Sequence, residues 1–153
     1  MKYLIFLLSF LVIMTSCDMK EKPQTQENVK QTILELERQA LDLYSNGNAI
    51  GYTKNFSKDV TYFDDIAAHN RVDGLEEAKN YFAALEGKVP VHKYELVDPK
   101  VQVYNDIAIL TMQYHSTMPE GEPGPPWKTT IVYHLNNGEW QVVHAHWSLV
   151  KTQ

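Results

Sequence analysis

The chain has 153 residues, of which 44% are hydrophobic and 22% charged. This composition is that of one globular domain, and the length is too short for two. The formal net charge is −5 and no basic stripe is present, so we expect no nucleic-acid partner, since an acidic surface repels phosphate backbones.

The N-terminal segment has the pattern of an export signal. Lys2 is followed by an apolar run from 3 to 14 that only Ser9 interrupts. A run of this length is typical of a signal peptide and too short for a membrane-spanning helix. It ends in Met14-Thr15-Ser16-Cys17, which resembles a lipobox, the site where a bacterial lipoprotein is cleaved before a lipidated cysteine. An ordinary secretory signal is the alternative.

Cys17 is the only cysteine of the chain. It cannot form an intramolecular disulfide, and lipidation would give its sulfur a role. We therefore predict a signal peptide over residues 1–16, a lipidated tether over 17–26 and one domain over 27–153. The predicted location is the cell envelope, with the domain anchored by lipid to a membrane and facing the periplasm or the cell surface.

Two amphipathic helices are predicted in the first half of the domain. Apolar residues recur at helical spacing from Val29 to Leu43, with Asn28 as a possible cap, and Asn46-Gly47 ends the pattern. The second helix begins after Asp73, which with Glu76 has the spacing of a capping box. Between them we predict a short helix over 49–56 and a strand over 60–63.

After Pro90 the apolar period changes to two, which indicates strands. They are predicted over 94–97, 101–104, 107–118, 127–135 and 140–149. Asn136-Asn137-Gly138 is a strong hairpin turn between the last two. Strands joined by hairpins form a mostly antiparallel sheet, and the helices must cover one face of it, so the predicted fold class is α+β.

Four features carry a family resemblance over residues 28 to 150. They are the first helix, Phe56-x-x-Asp59-Val60-x-Tyr62, Gly74 before Glu76-Glu77-Ala78, and the ending Asn137-Gly138-Glu139-Trp140-Gln141-Val142-Val143-His144-Ala145-His146-Trp147-Ser148. Together they resemble the SnoaL-like branch of the nuclear transport factor 2-like superfamily. The ending is also similar to the association domain of calcium/calmodulin-dependent kinase II.

This resemblance implies a cone-shaped, strongly curved sheet wrapped around the N-terminal helices, often in a homodimer. Its cavity hosts isomerases, dehydratases and hydratases in some relatives and only binds ligands or partners in others. The fold therefore does not decide the function. We expect no cofactor.

His144, His146 and Asp64 are the candidate catalytic residues. Because side chains alternate along a strand, we expect both histidines on one face with Trp140, Val142 and Ser148. Histidine changes charge near neutral pH, so the pair could act as acid and base. The alternative is one hydrogen-bonded core histidine and one at a dimer face. No spacing selects a third ligand beside them, so we expect no metal.

Asp64 ends the first strand on the face of Val60 and Tyr62. In ketosteroid isomerase-like relatives a pocket carboxylate moves a proton next to a carbonyl, and Asp64 is the candidate for that role. The alternative is a solvated turn residue.

The candidate ligand-binding residues are aromatic or hydroxyl side chains on strands: Tyr62, Tyr114, Trp127, Tyr133 and Ser148. Inward-facing aromatics would line an apolar pocket with a few polar groups. Arg71 could bind a carboxylate or lie on the surface. Three functions remain open: a membrane-anchored pocket protein for a small apolar or aromatic molecule, an isomerase, dehydratase or hydratase, and an oligomeric interaction module.

Overall fold

The computed structural model describes residues 25–66 and 71–151. Six strands form one mixed sheet in the order β2-β1-β6-β5-β4-β3, and the helices pack on one of its faces. The α+β prediction is confirmed. The predicted signal peptide, the lipidation site Cys17 and most of the tether lie outside the described residues. In the described ranges no helix is long and apolar enough to cross a membrane.

Helix α1 spans Gln26–Ser45 and presents one face to the sheet. Its cap is Thr25, whose side-chain oxygen accepts a hydrogen bond from the Asn28 N–H at 3.2 Å. The predicted cap at Asn28 was therefore wrong, because the helix starts earlier and includes that residue. Gly47, at φ +90°, follows the helix end as predicted. The buried residues of α1 are Val29, Ile33, Glu37, Ala40, Leu41 and Ser45.

A 3₁₀ helix over Ile50–Asn55 leads into β1, Phe56–Phe63. The two-residue strand β2, Val72–Asp73, precedes helix α2, Leu75–Ala83. The predicted capping box of α2 was wrong. Gly74 is the cap, because the Asp73 carboxylate is held instead by the Arg71 guanidinium at 2.6 Å.

The second half of the domain consists of β3, Lys93–Tyr104; β4, Ile107–Thr117; β5, Trp127–Asn136; and β6, Glu139–Leu149. All neighbours pair antiparallel except β1 and β6, which are parallel. The two strands predicted over 94–104 are one strand, which continues across an irregularity between Val97 and Lys100.

The turn between β5 and β6 is the one predicted from the sequence. Asn137 and Gly138 have φ values of +51° and +84°, the two left-handed positions that a two-residue hairpin turn of this type requires. The turn fixes the register in which Asn136 faces Glu139.

A β-bulge at Val143 decides which side chains of β6 face the helices. The register passes from Tyr133 opposite Val142 to Val132 opposite His144, which leaves Val143 as an extra residue. A bulge of one residue reverses the side-chain alternation.

Two pairs of inward-facing residues therefore lie on either side of the bulge. Trp140 and Val142 are buried before it, and Ala145 and Trp147 are buried after it. The expectation that the two histidines share a face with Trp140 and Val142 was wrong, because strict alternation does not allow for an extra residue.

Replacement of Leu110 should test the packing of this core. Leu110 is fully buried at the centre of β4, so Leu110→Ala should lower the free energy of unfolding by about 2–5 kcal/mol. Urea unfolding at one fixed protein concentration measures the change. Thr117→Ala, at the exposed end of the same strand, should change it by less than about 0.5 kcal/mol. Equal effects of the two substitutions would contradict the described core.

Candidate functional site

A cavity lies between the two helices and the inner face of the sheet. It offers about 70 Å³ of space to water-sized molecules. A single water needs about 10–15 Å³ by this measure, so the cavity has room for several waters or for a compact organic group. Its described lining residues are Leu41, Tyr44, Tyr52, Tyr62, Asp64, Ile66, Tyr81, Phe82, Leu85, Tyr114, Trp127 and Trp147.

Aromatic rings make most of the cavity wall. Phe82 of α2 is at the centre of this group, with ring centroids 5.1 Å from Tyr81, 5.2 Å from Tyr62 and 5.3 Å from Tyr52. Most pairs are edge-to-face or tilted, the arrangements that aromatic quadrupoles favour. The rings therefore pack against one another and form an aromatic chamber.

Three neighbouring aromatic side chains hold the ring of Tyr114. Its hydroxyl is hydrogen-bonded to Nε2 of His92, and its ring stacks on that of Tyr94 with the centroids 5.3 Å apart. It also packs edge-to-face with the Trp147 ring, with the centroids 5.9 Å apart. The ring is thus fixed by three partners before any ligand binds.

Asp64 is the charged group among the described lining residues. Its carboxylate accepts hydrogen bonds from the hydroxyls of Tyr62 at 2.9 Å and Tyr81 at 2.5 Å, and from the N–H of Ile66 at 2.9 Å. Asp64 and Tyr81 are partly exposed, and Ile66 is 60% exposed. These residues therefore border the opening of the cavity.

The charge of Asp64 acts on the tyrosines around it. Burial raises the pKa of Tyr62 well above its usual value, and the negative charge of Asp64 raises it further. The same two causes raise the pKa of Tyr44. The hydroxyls therefore stay protonated at neutral pH and act as hydrogen-bond donors in the cavity wall.

A second carboxyl group, Glu37, lies behind this wall. It is 1% exposed and accepts hydrogen bonds from the hydroxyls of Tyr52 at 3.1 Å and Tyr133 at 2.6 Å. The indole N–H of Trp147 donates to the Tyr52 hydroxyl at 3.0 Å. We call Glu37, Tyr52, Tyr133 and Trp147 the buried network. Burial raises the pKa of Glu37 to about 7, although its two tyrosine bonds lower it.

Glu37 was not predicted from the sequence as a functional residue. It stands four residues after Ile33 and four before Leu41, both buried on the same face of α1. A glutamate inside an apolar helical stripe is the signal that could have identified it, because a buried carboxyl needs partners.

The structure brings four of the predicted site residues together. Tyr62, Asp64, Tyr114 and Trp127 all line the cavity. Tyr133 belongs to the buried network, where it is fully buried and is not among the described lining residues. The expectation that Asp64 shares a face with Tyr62 is confirmed by their hydrogen bond.

His144, His146 and Ser148 lie on the opposite face of the sheet. Nδ1 of His144 is 2.8 Å from the Thr61 hydroxyl, and the Phe63 ring contacts both histidine rings. Partial burial lowers the pKa of His144, and the neighbouring His146 lowers it further. Their predicted role as acid and base stays a prediction, now placed outside the aromatic cavity.

Two further expectations concern charged ligands. Arg71 is exposed and bound to Asp73, so it is a surface residue. Within the described ranges, no three side chains of the His, Cys, Asp or Glu type are grouped closely enough to hold a metal ion.

Comparison with known proteins identifies relatives across the domain. The family model of the calcium/calmodulin-dependent protein kinase II association domain matches residues 29–150. The delta subunit of calcium/calmodulin-dependent protein kinase type II from Oryctolagus cuniculus is 30% identical over 124 residues. This match covers 76% of the chain and 23% of the kinase, so the chain spans about a quarter of that relative.

Solved structures show the same fold. A candidate ketosteroid isomerase from Parabacteroides distasonis is 28% identical, with a TM-score of 0.72 over 86% of this chain and 95% of its own. A nuclear transport factor 2-like protein from Pseudomonas putida matches in fold. It is 20% identical, with a TM-score of 0.74 over 85% of this chain and 92% of its own. The hub homology domain of the kinase from Chlamydomonas reinhardtii matches as well. It is 26% identical, with a TM-score of 0.66 over 80% of this chain and 98% of its own. The predicted nuclear transport factor 2-like fold is confirmed, and membership of the SnoaL-like branch stays a prediction.

The raised pKa of Glu37 predicts how stability depends on pH. The unfolded chain releases the proton near pH 4.5 and the folded chain near pH 7. The free energy of unfolding should therefore fall between these values as pH rises, by on the order of 3 kcal/mol, and stay level above them. Glu37→Gln, which is neutral at every pH, should remove this fall. Urea unfolding between pH 5 and 8 measures it.

Glu35→Gln is the matched control, since Glu35 lies on the exposed face of the same helix. The difference in the free energy of unfolding between Glu35→Gln and the unsubstituted protein should not vary between pH 5 and 8. A pH-independent difference between Glu37→Gln and the unsubstituted protein would contradict the raised pKa.

Proposed function

Since this chain belongs to the family of calcium/calmodulin-dependent protein kinase II association domains, we propose that it is a self-associating domain whose cavity binds a small molecule with an apolar or aromatic body. One observation carries the binding function: eight of the twelve described lining residues are aromatic, and they surround an open chamber with one carboxylate at its mouth. Such a preformed apolar chamber with few polar groups is typical of a ligand site.

The cavity wall supports binding because it is already ordered. The rings of Tyr52 and Trp147 contact each other. Both residues also belong to the buried network, in which Tyr52 donates to Glu37 and Trp147 donates to Tyr52. A ligand that enters a preorganised site does not have to order the side chains that it contacts, so less free energy is lost on binding.

An isomerase, dehydratase or hydratase is the second candidate. Asp64 lines the cavity as a base would, and the candidate ketosteroid isomerase of Parabacteroides distasonis has the same fold. A carboxylate in this position could take a proton from carbon next to a carbonyl, while a tyrosine hydroxyl donates to the oxygen. We favour binding because the two tyrosine hydroxyls that are hydrogen-bonded to Asp64, those of Tyr62 and Tyr81, donate to the carboxylate itself.

Self-association is supported by the family. The Chlamydomonas relative is named as a hub homology domain, and its chain is covered over 98% of its length. We propose that this chain also forms a homo-oligomer, as closed symmetric assemblies of one chain are the usual form.

Membrane attachment rests on the sequence alone. The apolar run and the Met14-Thr15-Ser16-Cys17 segment support export and lipidation. We therefore propose that the lipid on Cys17 holds the domain on a membrane of the cell envelope.

Native mass spectrometry of the full chain, released from detergent micelles without added ligand, should detect the ligand. We expect an oligomer with a reproducible small-molecule adduct. Leu85→Trp should remove the adduct, because the larger side chain enters the cavity. Ala83→Trp, at an exposed position of α2, should keep it. An adduct that survives Leu85→Trp would contradict binding in this cavity.

Replacement of the predicted lipidated residue tests membrane attachment. Cys17→Ser should move the protein from the membrane fraction to the soluble fraction of cells that express it, since the thioether cannot form. Ser16→Ala keeps a small residue before the cysteine and should leave the protein on the membrane. Fractionation with immunoblotting measures both. Equal membrane retention of the two variants would contradict the lipid anchor.

A further inference from the structure

We infer that the ligand of this cavity presents an oxygen that accepts a hydrogen bond, such as a carbonyl or ether oxygen, to the hydroxyl group of Tyr44. The inference rests on the proposed binding function and specifies the chemical class of the ligand. It is carried by the hydrogen bonds of the cavity wall, in which most polar side chains have a partner within the protein and Tyr44 has none among the described residues.

Most polar side chains of the cavity wall are already engaged. The described lining residues whose polar groups are hydrogen-bonded to other residues of the protein are Tyr52, Tyr62, Asp64, Tyr81, Tyr114 and Trp147. A ligand that used one of these groups would replace a hydrogen bond that the protein already makes, so it would gain little free energy of binding.

Tyr44 and Trp127 are the described lining residues whose polar groups have no partner. The Tyr44 hydroxyl and the Trp127 indole N–H make no hydrogen bond within the described part of the chain. Neither is fully enclosed, since the one fully buried side-chain nitrogen or oxygen without a partner there is Nε1 of Trp140. An indole N–H can only donate, and a phenol donates better than it accepts because its lone pairs are delocalised into the ring. Both groups therefore favour an acceptor.

The Tyr44 hydroxyl lies among the groups that enclose the chamber. Burial raises the pKa of Tyr44, and the charge of Asp64 raises it further. Burial also raises the pKa of Tyr114, with Tyr44 as the next cause, and Tyr44 adds to the effects of burial and of Asp64 on the pKa of Tyr81. Tyr81 is in α2, Tyr114 is in β4 and Asp64 follows β1. Because one hydroxyl is close to all three groups, it lies between these elements.

A ligand without an acceptor would leave the Tyr44 hydroxyl unsatisfied. Water can solvate this hydroxyl when no ligand is bound, but a ligand that fills the chamber displaces that water. A buried donor without an acceptor is costly. An acceptor oxygen on the ligand removes this cost, and the raised pKa of Tyr44 keeps its hydroxyl protonated for the bond at neutral pH.

Three probes with the same compact ring test the inference. Cyclopentanone has an acceptor oxygen, methylenecyclopentane has a CH₂ group in its place, and cyclopentylammonium has donors only. Headspace gas chromatography measures the free concentration of the first two above the full chain in detergent, and calorimetry measures binding of the third. All variants are compared at one detergent concentration, so that partition of each probe into micelles is the same.

Tyr44→Phe should weaken the binding of cyclopentanone by about three- to tenfold and leave that of methylenecyclopentane within about twofold, because it removes one hydroxyl and keeps the ring. Tyr104→Phe is the matched control and should change neither dissociation constant, since Tyr104 is exposed on β3 and is not among the described lining residues. Cyclopentylammonium should bind more weakly than cyclopentanone. Unchanged thermal unfolding verifies that each variant is folded.

The carbonyl band of cyclopentanone reports the hydrogen bond itself, because a carbonyl group that accepts a hydrogen bond absorbs at lower frequency. Infrared difference spectra should show a shifted band for the bound probe in the unsubstituted protein and in Tyr104→Phe, and should lose it in Tyr44→Phe. A band that stays shifted in Tyr44→Phe would assign the bond to another donor, such as Trp127, and would overturn the role of Tyr44.

The outcomes distinguish this inference from the proposed function. If Tyr44→Phe changes the binding of cyclopentanone and methylenecyclopentane equally, or cyclopentylammonium binds best, the acceptor inference is overturned and the pocket function stands. If no probe binds at millimolar concentration while native mass spectrometry still shows a cavity adduct, the acceptor inference also fails alone. If there is neither probe binding nor an adduct, both proposals fail.

Discussion

The position of one buried carboxyl group determines how the cavity is built. Glu37 is inside the core, where an unpaired carboxyl would be very unfavourable. It is tolerated because Tyr52 and Tyr133 both donate to it. Tyr52 in turn accepts a hydrogen bond from the Trp147 indole N–H. The need of the Glu37 carboxyl group for hydrogen-bond donors therefore orients side chains of the 3₁₀ helix, β5 and β6. Two of those residues, Tyr52 and Trp147, are walls of the cavity.

The bulge at Val143 gives the two faces of the sheet different chemistry. It places Trp147 inside and His146 outside on the same strand. The inner face carries the aromatic chamber with Asp64 at its mouth, and the outer face carries polar residues that water or another subunit can contact. The proposed ligand binding and self-association would then use different faces of the sheet and would not compete for one surface.

Much of the fold could be predicted from the sequence, because its signals are local. The helical periods, the Asn137-Gly138 turn and the alternation in β4 and β5 depend on neighbouring residues only. The faces of His144 and His146 could not be predicted, because the bulge at Val143 depends on pairing with a second strand. Glu37 was missed for a related reason: its partners come from 15 and 96 residues away along the chain, and helical periodicity alone excludes a charged residue from the core.

A crystal structure of the full chain, purified without added ligand, tests the central claim most directly. We expect electron density for a small molecule inside the aromatic chamber, in contact with Trp127 and Trp147 and near the Asp64 carboxylate. A chamber filled by the chain's own side chains, with a bound molecule instead beside His146 on the outer face, would contradict it.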